Sequence, residues 1–233
     1  MGAPLDERRV IPTADGSASV YAPRFDASYH STHGALQESR HVFVQAGLAY
    51  VAKGQGRVSI LECGFGTGLN LLASLAYALA ADLRLDYTGI EAFPLPPDLL
   101  AATDYGRLAA LAPLVGLSPK LLTDVHAAPW PSDLALGALG VLRKRKRRIE
   151  TLDEHRAFDL VYYDAFAPRA QPELWTPEVF ARLYRALRPG GALVTYCVQG
   201  QVRRDLESVG FDVVKLPGPP GKREMTRATR PSH

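Results

Sequence analysis

Cysteine is scarce in this 233-residue chain: only Cys63 and Cys197 occur, and they do not form a C-x-x-C pair. Zinc ribbons and disulfide frameworks are thereby poorly supported, and no metal is expected. Three histidines, His30, His33 and His41, lack metal-ligand spacing and read as structural or surface residues. Also missing is any uninterrupted apolar run of the roughly 18 residues that a membrane span requires. The start, MGAPLDERRV, has neither the basic opening nor the apolar stretch of a secretory signal. These absences point to a protein of the reducing cytoplasm that makes no membrane contact. No Gly-Lys-Ser/Thr tripeptide follows any glycine-rich turn, which argues against a phosphate-binding P-loop.

What is present is a hydrophobic fraction of 47% and a charged fraction of 22%, ordinary for one soluble globular domain. The formal charge of +3 is unevenly placed. Arg143 to Arg148 reads RKRKRR, and without those six the 27 basic residues fall below the 24 acidic ones. Such a stripe either contacts polyanions, with Arg143, Lys144, Arg145 and Lys146 as candidate phosphate ligands, or forms a solvated strand edge.

Strand-like and helix-like runs alternate. Val58 to Leu61 leads into a glycine-rich turn, and Gly68 to Ala81 is a Leu/Ala-rich helix. Leu85 to Glu91 is a second strand and Asp98 to Leu111 a helix. Leu121 to Val125 reads as a third strand, ending near Asp124. Phe158 to Tyr163 and Ala192 to Cys197 are further strands, and Phe211 to Leu216 and Met225 to Thr229 form a late pair joined by a loop. The pattern predicts a mostly parallel seven-stranded sheet with an antiparallel edge pair. Residues 1–57, with a helix over Gly34 to Val51, are expected to pack as an extension on a core of 58–233, with a basic insertion near 130–155.

The turn reads Glu62-Cys63-Gly64-Phe65-Gly66-Thr67-Gly68. Its glycine spacing departs from the dinucleotide fingerprint G-x-G-x-x-G. An acid two residues before the first glycine repels a pyrophosphate but suits a ligand with an ammonium group, such as the amino-acid end of S-adenosyl-L-methionine. Glu91, at the end of the second strand, is placed to accept ribose hydroxyls, and Asp124, at the end of the third, to meet the adenine edge. Glu62, Gly64, Phe65, Gly66, Thr67, Gly68, Glu91 and Asp124 are therefore the candidate cofactor residues of a class I methyltransferase. Asp164 ends the strand FDLVYYD beside the transferable methyl. Phe166, Pro168 and Trp175 follow it, an arrangement apt for an aromatic substrate bearing an amine, with Asp164 orienting or deprotonating that amine.

LECGFGTGLNLL, GIEAFPL, DAFAPRAQPELWT and GPPGKREM, with the earlier RFDASYHSTHGALQESRHVF, closely resemble the methyltransferase half of the MnmC family and its stand-alone MnmD form. The likeness runs from Arg24 to Ala228. It implies methylation of 5-aminomethyl(-2-thio)uridine at the wobble position of tRNA, with the anticodon region as partner and no obligate protein partner. It also implies an active-site role for Asp164, cofactor contacts for Glu62 and Glu91, and tRNA or cofactor contacts for Lys222 and Arg223. The family's fused oxidase module uses a flavin; a chain of this length implies none, so another route supplies the amine. Two alternatives remain at this point: a methyltransferase acting on another RNA or a small amine, and a non-catalytic RNA-binding protein on the same fold.

Overall fold

A computed structural model describes residues 7–105 and 116–232. The part of the predicted Asp98 to Leu111 helix beyond residue 105 lies outside the described residues; within them, Pro97–Ala101 is helical.

Three short strands, β1 (Arg9–Pro12), β2 (Ala18–Ala22) and β3 (Ala27–Ser28), form a small antiparallel sheet of their own. The helix predicted after them is present as one continuous helical stretch: α1 (Ala35–Glu38), a π-helical segment (Ser39–Leu48) and α2 (Ala49–Val51). Val42, Phe43 and Leu48 on its inner face are fully buried against the main sheet, with the Phe43 ring 5.1 Å from that of Tyr162.

The main sheet contains β4 (Arg57–Cys63), β5 (Arg84–Ile90), β6 (Ser132–Ala135), β7 (Gly140–Arg145), β8 (Phe158–Tyr163), β9 (Leu187–Thr195), β10 (Asp212–Pro217) and β11 (Glu224–Thr229). Their order is β10-β11-β9-β8-β4-β5-β7-β6. The five inner strands β7, β5, β4, β8 and β9 pair in parallel, and β10 with β11 forms the expected antiparallel edge. β6 adds an eighth strand, antiparallel, at the opposite edge. Val58, Ile60, Leu61 and Cys63 of β4 are all fully buried, as a strand covered on both faces requires. Helices Leu69–Ala80 and Pro119–Ala127 cover the face that also receives the 35–51 helix, while Pro177–Ala186 and Gly200–Ser208 cover the other. Among the described residues no helix is long and apolar enough to cross a membrane.

Two elements differ from the sequence reading. Leu121 to Val125 is helical, within Pro119–Ala127, with Ser118 as N-cap and proline at the first position. The third parallel strand is β7 instead, and it contains the start of the basic run. A strand turns successive side chains to opposite faces. Leu142 and Lys144 thus share the buried face, where Lys144 is 1% exposed. Its ammonium donates to the carbonyls of Val125 (2.9 Å) and Ala128 (2.7 Å) and lies 4.6 Å from the Trp130 ring centroid. Burial pushes the Lys144 pKa down to about 8.

Candidate active site

β4 ends at Cys63 and the chain turns through Gly64 and Gly66, at φ +89° and +51°, before the 69–80 helix begins. Both glycines are required by their surroundings. A Cβ on Gly64 would sit 2.7 Å from the Asp164 carbonyl oxygen, and one on Gly66 would sit 2.8 Å from the Tyr29 ring. The turn is thereby held between the end of β8 and the amino-terminal segment, with Gly64 N–H and Phe65 N–H both donating to the Ile90 carbonyl at 3.1 Å. The carboxyl ends of β4, β5, β7 and β8 meet the 22–32 segment around a cavity of about 370 Å³.

Of the turn, Gly64 and Gly66 line this cavity. Phe65 is buried edge-on against Trp130, 5.4 Å between centroids. The Thr67 hydroxyl is buried between His30 Nε2 and Tyr105 OH, each at 2.9 Å, and Gly68 is the helix N-cap. These three shape the loop from behind. The Glu91 carboxylate lines the cavity and accepts from Gly66 N–H (3.1 Å) and Phe93 N–H (2.9 Å). Burial raises its pKa, and those N–H groups pull in the opposite direction.

Glu62 and Asp124 are placed otherwise than expected. Glu62 is fully buried, and it is absent from the cavity wall: its carboxyl accepts from Asn70 Nδ2 and Tyr87 OH, both at 2.8 Å. Burial, with Asp164 nearby, pushes its pKa well up. Its effect on the site passes through Asn70, whose same amide nitrogen donates to Asp164 Oδ2 at 2.8 Å. Asp124 is exposed on the 119–127 helix and paired with Lys120 at 2.6 Å, because the segment is helix and presents no strand end. The residues that β7 delivers to the cavity wall are Arg147, Arg148, Ile149 and Glu150.

Asp164 follows β8 directly and lines the cavity. Burial, then the nearby Glu38 carboxylate, pushes its pKa up to about 8, against the opposing Asn70 hydrogen bond and the Lys222 charge. Glu38 is ion-paired with Lys222, accepts from Ser31 N–H at 2.9 Å and lines the same cavity. Lys222 Nζ lies 4.3 Å from the Tyr196 ring centroid. Phe166 stacks on Phe25 (4.7 Å, 29°) and meets Tyr29 edge-on at 5.0 Å.

Trp175 is 5% exposed and packs on Tyr163, its Nε1 donating to the Phe166 carbonyl at 2.8 Å. It holds the Asp164–Phe166 loop and forms no cavity wall. Pro168 is half-buried and Arg223 exposed, and both lie outside the lining. The basic run is largely neutralised. Lys144 is buried, Arg145 pairs with Asp133 (2.5 Å), Arg147 with Glu154 and Asp153, and Arg148 with Glu150 (2.6 Å). Sequence reasoning assigned no site role to Arg8, Tyr29, Glu38 or Tyr196, which all line the cavity. For Tyr29 the available signal was the clustering of polar and aromatic residues in RFDASYHS; Arg8, Glu38 and Tyr196 lie outside that segment.

Residues 138–231 match the model of a family described as S-adenosyl-L-methionine-dependent methyltransferase. The chain is 38% identical over 240 residues to the tRNA 5-methylaminomethyl-2-thiouridine biosynthesis bifunctional protein MnmC of Cupriavidus necator, covering 97% of this chain and 35% of that protein. The Ralstonia nicotianae protein of the same name is 36% identical, with 95% and 34% covered. The chain thus spans about a third of the length of these curated relatives. Among solved structures it is similar to MnmC2 from Aquifex aeolicus, with a TM-score of 0.70 and 26% identity over 96% of this chain and 72% of that one.

Over nearly its whole length the chain is similar to MnmC-like methyltransferases.

The matched family is described by its dependence on S-adenosyl-L-methionine, and the residues present fit that cofactor. Gly64 and Gly66 bring bare backbone to the cavity wall, and a Cβ at Gly64 would collide with the Asp164 carbonyl. Glu91 offers a carboxylate already oriented by two N–H groups, suited to vicinal hydroxyls. Asn70 Oδ1 is a buried acceptor with no partner among the described residues, beside Asp164 and Glu62; this acceptor-rich ground suits an ammonium or sulfonium charge.

Proposed function

We propose that this chain methylates the primary amine of 5-aminomethyl(-2-thio)uridine at the wobble position of tRNA, giving the 5-methylaminomethyl nucleoside, in the cytoplasm. The observation that carries the reading is the placement of Asp164. Its carboxyl lies in the cavity beside the glycine turn, held by Asn70, with a proton affinity raised into the range of an acceptor amine. The named activity of the bifunctional relatives supports the choice of substrate.

S-adenosyl-L-methionine supplies an electrophilic methyl on a sulfonium. The protein's part is to present a neutral amine in line with it and to accept a proton. The ionised Asp164 carboxylate would take one proton from the protonated acceptor amine, freeing the nitrogen lone pair for the methyl that S-adenosyl-L-methionine would supply, and the product would leave as a secondary ammonium. Asn70 fixes the carboxylate, and the Glu38–Lys222 pair sets the local charge. Phe25, Tyr29 and Phe166 make an aromatic wall for the base. Glu91 is the ribose-binding acid for the cofactor, with Gly64 and Gly66 as backbone contacts.

The test is incubation of purified protein with S-adenosyl-L-methionine and tRNA carrying the aminomethyl group, followed by mass spectrometry of the nucleosides. A mass gain of one methyl on the modified wobble uridine is expected. An unchanged nucleoside profile, with cofactor binding intact, refutes the reading.

A further inference from the structure

The conspicuous basic run is mostly occupied within the protein, so the cations free to meet an RNA are sought elsewhere. At the cavity wall, Arg24 and Arg169 are exposed, and neither has an acidic partner within ion-pair distance among the described residues. The acid nearest Arg24 in sequence, Asp26, accepts from Tyr21 OH at 2.7 Å. Two acids of the wall lie beside Arg148 instead: Glu150 is paired with it at 2.6 Å, and Glu173 raises its pKa from close by.

One of the two free guanidinium groups flanks aromatic surface, and the other lies on the loop of Asp164. Arg24 stands 5.5 Å from the Phe25 centroid and 5.4 Å from that of Phe93, and Phe25 in turn stacks on Phe166. Arg169 follows Phe166 by three residues on the loop that carries Asp164. Free arginines beside a stacked aromatic step match what a single-stranded nucleic acid offers: phosphates for the charges and unstacked bases for the rings. A nucleotide whose base must enter an enclosed cavity has to leave its own stack, and its flanking phosphates are then drawn to the entrance.

We infer that Arg24 and Arg169, with the Phe25–Phe166 step, form the RNA-docking rim of this protein, holding the phosphates on either side of the nucleotide inserted toward Asp164. This surface rests on the functional reading above for which RNA it takes, and on the geometry alone for the class of ligand. The run Arg143 to Arg148 contributes mainly to the fold.

The test measures binding of deproteinised tRNA to the full chain by filter retention between 50 and 250 mM salt. Three double variants are compared: R24A/R169A, R143A/K146A, and K53A/R84A. The last removes two charges near the opposite, amino-terminal ends of β4 and β5. Each neutralised phosphate contact contributes about 0.7–0.9 to the slope of log K against log salt. R24A/R169A is expected to weaken tRNA binding about tenfold or more at 100 mM salt and to lower that slope by about 1.5. Its affinity for S-adenosyl-L-methionine, read by calorimetry, is expected to stay within about twofold, which also shows that it is folded. Equal slopes and affinities for R24A/R169A and K53A/R84A overturn the inference, as does a loss found in R143A/K146A alone. A wild-type protein that yields no methylated nucleoside but binds RNA through Arg24 and Arg169 would sink the functional reading and leave this one standing.

Discussion

The raised pKa of Asp164 makes a quantitative statement about pH. If its carboxylate must be ionised to receive the amine proton, a pKa of about 8 leaves about one-tenth of the enzyme competent at pH 7 and about nine-tenths at pH 9. kcat/KM for aminomethylated tRNA should therefore rise about tenfold over that interval, approaching unit slope on a logarithmic plot well below pH 8. The acceptor amine titrates upward too, so the rise alone does not identify its owner. Glu38 separates the two. kcat/KM reports the free enzyme and the free tRNA, and a substitution in the protein leaves the free tRNA unchanged. Glu38→Gln removes the like charge that raises Asp164 and releases Lys222, whose charge lowers it. Both effects carry the same sign, and the Gln carbonyl still accepts from Ser31 N–H. The midpoint should move down by about one unit, as expected for loss of a nearby like charge in a buried site. A stopped-time assay of methyl incorporation from pH 6 to 9.5 in wild type, Glu38→Gln and Asp164→Asn reads this directly. A Glu38→Gln midpoint that stays put or moves upward refutes the reasoning. So does an Asp164→Asn enzyme that keeps the wild-type limb.

The same proton bears on stability. The folded protein holds it to about pH 8 and the unfolded chain releases it near 3.8, so this group's contribution falls as pH rises between those values. Asp164→Asn should melt higher than wild type at pH 8.5, by about 2–4 °C per kcal/mol recovered, and the gain should vanish at pH 4 in calorimetric scans. Asp124→Ala should leave the Kd for S-adenosyl-L-methionine unchanged, since only an exposed i,i+4 ion pair is lost, whereas Glu91→Ala should raise it at least about tenfold; a matching loss in both would restore Asp124 to the site. Lys144→Ala leaves the carbonyls of Val125 and Ala128 without their donor and should cost about 2–3 kcal/mol in urea unfolding with tRNA affinity retained; a stability-neutral variant that loses RNA would reverse that assignment. Gly64→Ala meets the Asp164 carbonyl oxygen at a positive φ, so cofactor affinity should fall and the melting temperature with it.

The parallel sheet, the glycine turn and Asp164 were legible because each is a local pattern: a buried apolar run, a spacing of glycines, an acid closing a strand. Asp124 and Lys144 were misplaced together, and for one reason. β7 carries cations where a covered strand normally carries only aliphatics, so the apolar residues of the neighbouring helix read more like the third strand than β7 does. The chemistry resolving the conflict, two carbonyls and an indole ring capping one ammonium, is assembled from Val125, Ala128 and Trp130, and no periodicity within the run reveals it. Glu38 was missed for the converse reason. On its own helix it is one polar residue among several, and it becomes part of the site only when the amino-terminal segment folds over the turn and meets Lys222, 184 residues later. Trp175 shows the opposite error, since an aromatic residue near an active acid reads as substrate wall whether its ring faces the cavity or, as here, the core. Local pattern found the glycine-turn end of the cavity, where Gly64 and Gly66 follow one strand directly and Glu91 closes the next. The acceptor end is assembled from residues far apart in the chain, and there charge pairing, which only the folded structure displays, decides which cations and acids remain free to meet a substrate.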